Sequence, residues 1–173
     1  MLPRDLPVPV LIVQHMPVGF TGPFAKRLNN ICKVTVKEAA QEESIEAGVI
    51  YIAPAGQHLT VYRKGGAKAA VRLAHTPEKM LHMPSVDVMM LSVADVFRSL
   101  AMGVIMTGMG ADGAKGMQAI AREGGVTVGQ DEASCTVYGM PRSCAEMGTL
   151  QRVVALQNIP EQILQVTHYK PRG

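Results

Sequence analysis

The sequence predicts an α/β protein with a doubly wound, mostly parallel sheet, helices on both faces and a β-hairpin insertion. Short apolar runs rich in β-branched residues, at 8–13 and 49–53, are typical of strands that are buried on both sides. Segments with helical spacing of their apolar residues lie between such runs, as at 86–100. Strands that alternate with helices favour a parallel sheet with right-handed crossovers.

Each predicted element has a local signature. The first strand ends before Pro17, and Thr21 is expected to cap a helix that runs to Asn30. Residues 58–63 and 68–73 flank Lys64-Gly65-Gly66-Ala67 and are predicted to form the hairpin. The remaining predicted elements are a strand at 49–53, a helix at 86–100 capped by Ser85, a strand at 102–107, a helix ending near Glu123, a strand at 126–130, a short helix around 142–147, a strand at 153–156 and a final helix capped by Asn158.

Length and composition favour one globular domain over residues 1–173. Hydrophobic residues make up 47% of the chain and charged residues 18%, which is enough apolar surface for a single core. The formal net charge is +3 and no Lys/Arg-rich run occurs, so a nucleic-acid partner is not expected. No apolar stretch approaches the length of a membrane span, and the N-terminal residues do not resemble a signal peptide.

Cysteines and histidines indicate neither a disulfide framework nor a metal site. The cysteines, Cys32, Cys135 and Cys144, form no CxxC pair and no even set, which favours a reducing compartment and hence the cytoplasm. The histidines show no HxH or HxxxH spacing. His58 is expected to pack in the hairpin, and His75 and His82 are expected at the surface or beside a groove.

Polar residues follow two of the predicted strands at their carboxyl ends, where chemistry gathers in parallel sheets. His15 follows the first strand, and Asp112 lies in the glycine-rich loop after the strand at 102–107. A carboxylate that orients a histidine is part of a nucleophilic catalytic site. Each residue also suits a structural role, Asp112 as a helix N-cap and His15 as a hydrogen-bonded residue after a strand.

The glycine loop has a second interpretation. Gly108, Gly110 and Gly113 match G-x-G-x-x-G between a strand and a helix, which is the pattern of a dinucleotide-binding turn. A carboxylate at Asp112 would repel a phosphate at the N-terminus of the helix, which favours the orienting-acid interpretation.

Five short blocks occur in the order found in one family. Along the chain they are Gln14-His15-Met16-Pro17 with Gly19-Phe20-Thr21, Pro84-Ser85-Val86-Asp87, Thr107-Gly108-Met109-Gly110-Ala111-Asp112-Gly113-Ala114, Gln130-Asp131-Glu132 and Tyr138-Gly139-Met140-Pro141. From about residue 8 to residue 163 the sequence therefore resembles the catalytic domain of the chemotaxis protein-glutamate methylesterase (CheB) family.

The resemblance implies a hydrolase that cleaves glutamate methyl esters on methyl-accepting chemotaxis receptors and, in many members, deamidates receptor glutamines. His15 and Asp112 match the histidine and aspartate of the family's Ser-His-Asp triad, and Met109 matches a position whose backbone N–H supports the oxyanion. The resemblance implies no metal or organic cofactor. In longer members a phosphorylated receiver domain is the regulatory partner.

The serine of that triad has no match in the sequence. In the family it stands in a G-x-S-T-G-G turn after a first strand, and none of the serines here lies in such a turn: Ser44, Ser85, Ser92, Ser99, Ser134 and Ser143. We therefore expect a chain truncated at its N-terminus, without the first strand of the fold and without a receiver domain, for which activity is not expected. The alternatives are a non-catalytic remnant that binds a receptor or another partner, and a nucleotide-binding domain using residues 108–113.

Overall fold

The computed structural model describes residues 1–66 and 68–170, which divide into two compact units. The first unit contains Met1–Ser85 and the C-terminal segment from Thr167, and the second contains Val86–Val166. Ala67, in the predicted hairpin turn, lies outside the described residues, as do residues 171–173 of the predicted domain. Each unit contains a three-stranded parallel sheet, which confirms the predicted α/β class with mostly parallel strands.

The first unit combines a parallel sheet with an antiparallel hairpin. Its elements are β1 (Val10–Ile12), α1 (Thr21–Ile31), β2 (Thr35–Glu38), β3 (Val49–Ile52), β4 (His58–Arg63) and β5 (Ala69–Ala74). The strand order is β1-β3-β2, with both pairs parallel. The β4 and β5 strands pair antiparallel, with His58 opposite Ala74, as the hairpin prediction required.

The core of the first unit lies between the parallel sheet and α1. Ala25 of α1 packs with buried residues of the strands, among them Val36, Ile50 and Ile52. Residues of β1 and α1, such as Val10 and Leu28, contact this cluster while remaining partly exposed. Because β3 lies between two strands, it is the most deeply buried of the three, and Ile52 has no exposed surface.

The second unit is a βα-type arrangement with a further parallel sheet. Its elements are α2 (Val86–Phe97), a 3-10 turn (Arg98–Leu100), β6 (Met102–Ile105), α3 (Ala114–Arg122), β7 (Val126–Gln130), α4 (Gly139–Glu146), β8 (Arg152–Val154), a second 3-10 turn (Leu156–Asn158) and α5 (Ile159–Val166). The strand order is β6-β7-β8, with both pairs parallel.

Close approach between α2 and α3 depends on a glycine. A Cβ atom at Gly116 would lie 2.4 Å from the Cβ of Met90, which is closer than atoms can pack. Gly116 therefore lets the backbone of α3 lie directly against the side chains of α2. Met117 and Ile120 of α3 are fully buried in the same core.

Among the details that differ from the sequence-based expectations, three concern the start or existence of an element. The β2 strand was not predicted, because Val36 is its only buried residue and Thr-Val-Lys-Glu carries no strong apolar signal. The prediction that Thr21 caps α1 is wrong: Phe20 is the N-cap residue and makes no side-chain cap bond, and Thr21 begins the helix. The α4 helix begins at Gly139 rather than near Arg142, because Pro141 is tolerated in a first turn, where backbone N–H groups have no helical partner.

Candidate active site

His15 lies in the loop that follows β1 and its ring stacks on the ring of His82. The ring centroids are 4.1 Å apart and the ring planes are 18° from parallel. His82 belongs to the irregular segment 75–85 between β5 and α2. The sequence placed His82 only at the surface or beside a groove, so its contact with His15 was not predicted.

The two histidines form part of an open cleft in the first unit. The residues that line the cleft are His15, Met16, Pro17, Leu81, His82 and Met83. Leu81 is 90% exposed, and Val18 and Phe20, which follow His15 in the same loop, are also exposed. His15 thus lies at an accessible, open surface, which suits a substrate presented by a large partner rather than an enclosed small molecule.

A hydroxyl network supports the loop that carries His15. The Thr21 hydroxyl is buried; it donates to the Glu38 carboxylate and accepts from the backbone N–H of Ala55. These bonds join the start of α1, the end of β2 and the turn after β3. Thr21 is therefore a structural residue at the carboxyl end of the sheet, which explains why its side chain is not used as a helix cap.

Asp112 lies in the loop between β6 and α3, where its carboxylate caps α2. Oδ2 accepts from the backbone N–H of Val86 at 2.8 Å, and Oδ1 accepts from that of Asp87 at 3.0 Å. Both oxygens are thereby oriented at the N-terminus of α2, where the helix dipole favours a negative charge. The prediction of Asp112 as the N-cap of the helix after its own loop is wrong, because Gly113 is the N-cap residue of α3 and has no side chain to cap that helix. The carboxylate instead binds the first N–H groups of α2, which is compatible with a role as an orienting acid.

Asp87, in the first turn of α2, binds backbone N–H groups at the start of α3 in the same way. Its buried carboxylate oxygen Oδ1 accepts from the backbone N–H groups of Gly113 at 3.0 Å and Gly116 at 2.8 Å. Two helices are thus capped reciprocally, each by an aspartate from the start of the other. The donors that a pyrophosphate would need at the start of α3 are already used by a carboxylate, which argues against the dinucleotide interpretation of this glycine loop.

Met109 stands at the exposed tip of the glycine loop. Its side chain is 82% exposed, and among the described residues its backbone N–H takes part in no hydrogen bond. The loop is anchored just before the tip, since the N–H of Gly108 donates to the carbonyl of Val137 and the carbonyl of Gly108 accepts from the N–H of Met140. An anchored loop with an unused N–H is suited to binding a developing oxyanion.

Gln130, at the end of β7, connects this loop to the segment after it. Its side chain is fully buried; Oε1 accepts from the Thr107 N–H at 2.9 Å and Nε2 donates to the Ser134 carbonyl at 2.7 Å. The sequence identified Gln130 only as part of a motif. Its bridging role and that of Asp87 depend on partners more than twenty residues away, which no local pattern reveals.

Four of the six serines are in settings unlike that of a nucleophile, whereas Ser44 and Ser99 are exposed. Ser85 is almost fully buried, and the Ser92 hydroxyl donates to the carbonyl of Met89 within α2. The Ser134 hydroxyl donates to Asp131 and accepts from the N–H of Leu156. The Ser143 hydroxyl donates to the carbonyl of Gly139 in the preceding turn of α4.

Two of the three cysteine thiols, those of Cys135 and Cys144, are also poorly suited to nucleophilic attack. Burial raises the pKa of the Cys144 thiol to about 11, despite a smaller lowering by a hydrogen bond with Thr149. Burial likewise raises the pKa of the Cys135 thiol, and a hydrogen bond with Thr107 partly opposes that effect. Both groups are therefore held as neutral thiols near pH 7, whereas the thiolate is the reactive form. Over residues 1–66 and 68–170, no group of three or more His, Cys, Asp or Glu side chains is arranged to hold a metal ion.

The family assignment rests on a match over nearly the whole chain. The family model of the CheB methylesterase matches residues 1–163. The chain belongs to the CheB methylesterase family. His15 and Asp112 both fall within the matched region, His15 in the first unit and Asp112 in the second.

Relatives with assigned names support this membership. The chain is 44% identical over 162 residues to a protein-glutamate methylesterase/protein-glutamine glutaminase of Lawsonia intracellularis, covering 94% of this chain and 45% of the relative. It is 46% identical over 167 residues to protein-glutamate methylesterase/protein-glutamine glutaminase 1 of Photobacterium profundum, covering 96% of this chain and 47% of the relative. The chain thus spans about half the length of the curated relatives it matches.

A solved CheB-family structure shows the same fold. The catalytic domain of the Thermotoga maritima CheB methylesterase superposes with a TM-score of 0.92 and 37% sequence identity, covering 95% of this chain and 87% of that domain. No helix in the described part of this CheB-family chain has the length and apolar character that a bilayer crossing requires.

Proposed function

We propose that the chain carries the histidine and aspartate of a protein-glutamate methylesterase that also deamidates glutamine. Its substrates are the methyl-accepting chemotaxis receptors, and its site of action is the cytoplasm. The observation that carries the proposal is the family match over residues 1–163, within which His15 and Asp112 both occupy loops at the carboxyl ends of parallel strands. Residues 1–173 act in this proposal as one catalytic domain.

The proposed reaction is acyl transfer through a serine ester. His15 accepts the proton of the serine hydroxyl as its oxygen attacks the ester carbonyl, and the tetrahedral oxyanion binds the N–H of Met109. Collapse of that intermediate releases methanol, which takes its proton from His15. Water, deprotonated by the same histidine, then hydrolyses the acyl-enzyme to glutamate. With a glutamine substrate, ammonia leaves in place of methanol.

Asp112 serves in this mechanism as the acid that orients His15. A carboxylate bound by two backbone N–H groups at a helix start has both oxygens held in a fixed orientation. A carboxylate acceptor selects the histidine tautomer that can receive the serine proton. The proposal therefore requires His15 and Asp112 to be within hydrogen-bonding distance in the active enzyme.

We propose that the nucleophile is a serine in a segment preceding residue 1 of this sequence. The settings of Ser85, Ser92, Ser134 and Ser143 support this, because each is buried or engaged in a local hydrogen bond. The raised pKa values of the Cys135 and Cys144 thiols make these two cysteines unsuitable as substitutes. A phosphorylated receiver domain in a longer protein is the proposed regulatory partner.

Methanol release from methylated chemoreceptor membranes tests the proposal. We expect this chain to be inactive and a version extended upstream to a G-x-S-T-G-G turn to be active. In the extended version, His15→Ala and Asp112→Asn should each lower the rate by roughly 10³- to 10⁴-fold. The matched controls are His75→Ala and Asp95→Asn, since both residues are exposed and lie outside the site; their rates should change little.

Three outcomes would count against the proposal. Activity of the unextended chain would mean that one of its own side chains is the nucleophile. An inactive extended version that still binds receptor would favour the non-catalytic alternative. Binding of a dinucleotide, measured as a saturable rise in melting temperature, would revive the nucleotide-binding alternative, against which the Asp87 contacts argue.

A further inference from the structure

His58 is a buried histidine to which the proposed mechanism gives no role. It begins β4 and has no exposed surface. Its Nε2 lies 3.1 Å from the carbonyl oxygen of Pro77, and its Nδ1 lies 3.2 Å from the backbone nitrogen of Ser85. One imidazole ring thus bonds to both ends of the irregular segment 77–85, which carries Leu81 and His82 into the cleft.

The partners of His58 determine its tautomer. The Ser85 backbone N–H is a donor, so Nδ1 must present a lone pair. The Pro77 carbonyl is an acceptor, so Nε2 must carry the hydrogen. Only the neutral Nε2–H form satisfies both groups, and its complete burial leaves no water to replace either partner.

The segment held by His58 has little other order of its own. Residues 75–85 contain no helix or strand, and a chain of that kind samples many conformations unless its ends are fixed. One further backbone bond assists at the C-terminal end, from the N–H of Gly56 to the carbonyl of Met83. Gly56 lies in the turn before β4 and His58 begins β4, so both anchors come from the same end of the hairpin.

We propose that His58 is a positioning residue for the catalytic base, acting through the segment 77–85 to hold His82 against the ring of His15. The stack restricts rotation of the His15 ring, which a base needs in order to meet its donor in one geometry. Only the catalytic consequence rests on the proposed function of His15. The contact chain from His58 to His82 to His15 lies entirely in the first unit and is testable by itself.

Nuclear magnetic resonance on the unmodified chain gives the first test. We expect the His58 ring to be the Nε2–H tautomer, with a ¹⁵N–¹⁵N coupling across the hydrogen bond from the Ser85 amide to Nδ1. We also expect nuclear Overhauser contacts between the His15 and His82 rings. An Nδ1–H tautomer, or a Ser85 amide that exchanges freely with solvent, would overturn the proposal.

Variants then separate positioning from a role in the hairpin core. In His58→Gln and His58→Asn, which each lack one of the two anchoring atoms, we expect the His15–His82 ring contact to weaken. Exchange of the Ser85 amide should become roughly tenfold faster in His58→Gln, as expected for loss of one hydrogen bond. Protection of the β3 amides should persist, and His75→Gln, at the exposed start of the same segment, should behave like the unmodified chain. Ring contact that survives unchanged would contradict positioning.

If neither variant folds, thermal unfolding of the unmodified chain, followed by nuclear magnetic resonance, tests the same link. On heating, the Ser85 amide and the His15–His82 contact should be lost together, below the temperature at which the β3 amides lose protection. Loss of one without the other would show that His58 does not control the stack. In the active extended version, the expected signature of a folded His58→Gln variant is a lowered kcat with little change in KM, since the base rather than substrate binding is affected.

Discussion

At the scale of single residues, the loop with Asp112 shows how one carboxylate can serve structure and chemistry. Asp112 uses both of its oxygens to cap α2, whereas Asp87 uses one oxygen to bind two N–H groups of the next loop and helix. Both carboxylates thus lie at a helix start, but Asp112 needs two acceptor oxygens whereas Asp87 needs only one. Replacing each aspartate by asparagine removes the charge at both positions but removes a required acceptor only at 112.

We predict that Asp112→Asn destabilises the fold more than Asp87→Asn. An asparagine at 112 has one acceptor and places an amide NH₂ against either the Val86 or the Asp87 N–H, which should cost about 1–3 kcal/mol of unfolding free energy. An asparagine at 87 can retain both bonds through Oδ1 and loses mainly the charge at a helix N-terminus, about 0.3–1 kcal/mol.

Urea unfolding of the two variants and of Asp95→Asn, an exposed control in α2, measures these differences. Equal losses at both positions would mean that charge at the two helix starts matters more than the acceptor count. The comparison also bears on catalysis. The rate of Asp112→Asn has to be corrected for the fraction of protein that is unfolded before the rest of the rate loss is attributed to orientation of His15.

The sequence identified residues whose chemistry is visible locally and missed those defined by distant partners. His15 and Asp112 were recognised because each lies in a loop after a predicted strand, His15 directly after the first and Asp112 in the glycine-rich loop, and because both match the family's triad. The contacts of Asp87, Gln130 and His58 join segments nineteen to twenty-nine residues apart, and nothing in their neighbouring residues indicates them. Whether His15 and Asp112 are catalytic stays a prediction.

At the scale of elements, strands and helices with clear apolar periodicity were predicted well. The ranges of β4 and β7 agree with the predicted strands, and α3 ends at Arg122, close to the predicted end near Glu123. The β2 strand was missed, and β8 spans Arg152–Val154 rather than 153–156. Both are edge strands with one buried or half-buried apolar residue, so their sequences carry little of the signal on which strand prediction depends.

Within α4, the raised pKa of the buried Cys144 thiol should make the stability of the fold depend on pH in the alkaline range. The pKa of this thiol is raised from 9.0 to about 11 in the fold, chiefly by burial. Above the unfolded value the unfolded chain loses this proton while the folded chain keeps it, so the folded state is progressively disfavoured. The contribution of the neutral thiol is therefore complete below about pH 9 and is lost as the pH rises through about 11.

We expect the difference in unfolding free energy between the chain and Cys144→Ala to be constant from pH 6 to 8. Between pH 9 and 11 it should shrink by an amount on the order of 2 kcal/mol, since each pKa unit corresponds to about 1.4 kcal/mol. Denaturant titrations of both proteins at each pH give the difference directly, and groups common to both cancel. A difference that stays constant up to pH 11 would show that the thiol ionises in the fold as it does in the unfolded chain.

At the scale of the whole molecule, the α/β class was predictable but the pairing of strands was not. Runs of β-branched residues that alternate with amphipathic segments indicate parallel strands without indicating their neighbours. The first sheet has β3 between β1 and β2, so two strands adjacent in the sequence are not adjacent in the sheet. Such an order results from contacts between distant residues, and the division into two units likewise has no local marker.

Each parallel sheet ends on an apolar strand that has a single neighbour among the described residues. In a parallel ladder, successive residues direct their N–H and C=O groups to opposite sides of the strand. The carbonyl of Ile12 accepts from Ala53 beside β3, so the N–H of Leu11 points away from β3. The carbonyl of Ala101 accepts from Val126 beside β7, so the N–H of Val104 points away from β7.

Hydrogen exchange should therefore alternate along both edge strands. We expect the amides of Leu11 and Val104 to exchange at least roughly tenfold faster than those of Ile12 and Ile105, whose N–H groups face β3 and β7. In β1, Leu11 is half-buried like Ile12, so a difference in exchange there would report hydrogen bonding rather than side-chain exposure. In β6, Val104 is half-buried whereas Ile105 is buried, so β1 gives the cleaner comparison. Equal protection along β1 or β6 at low concentration would mean that a further segment covers that edge, and protection that appears only as concentration rises would mean that a second copy pairs with it.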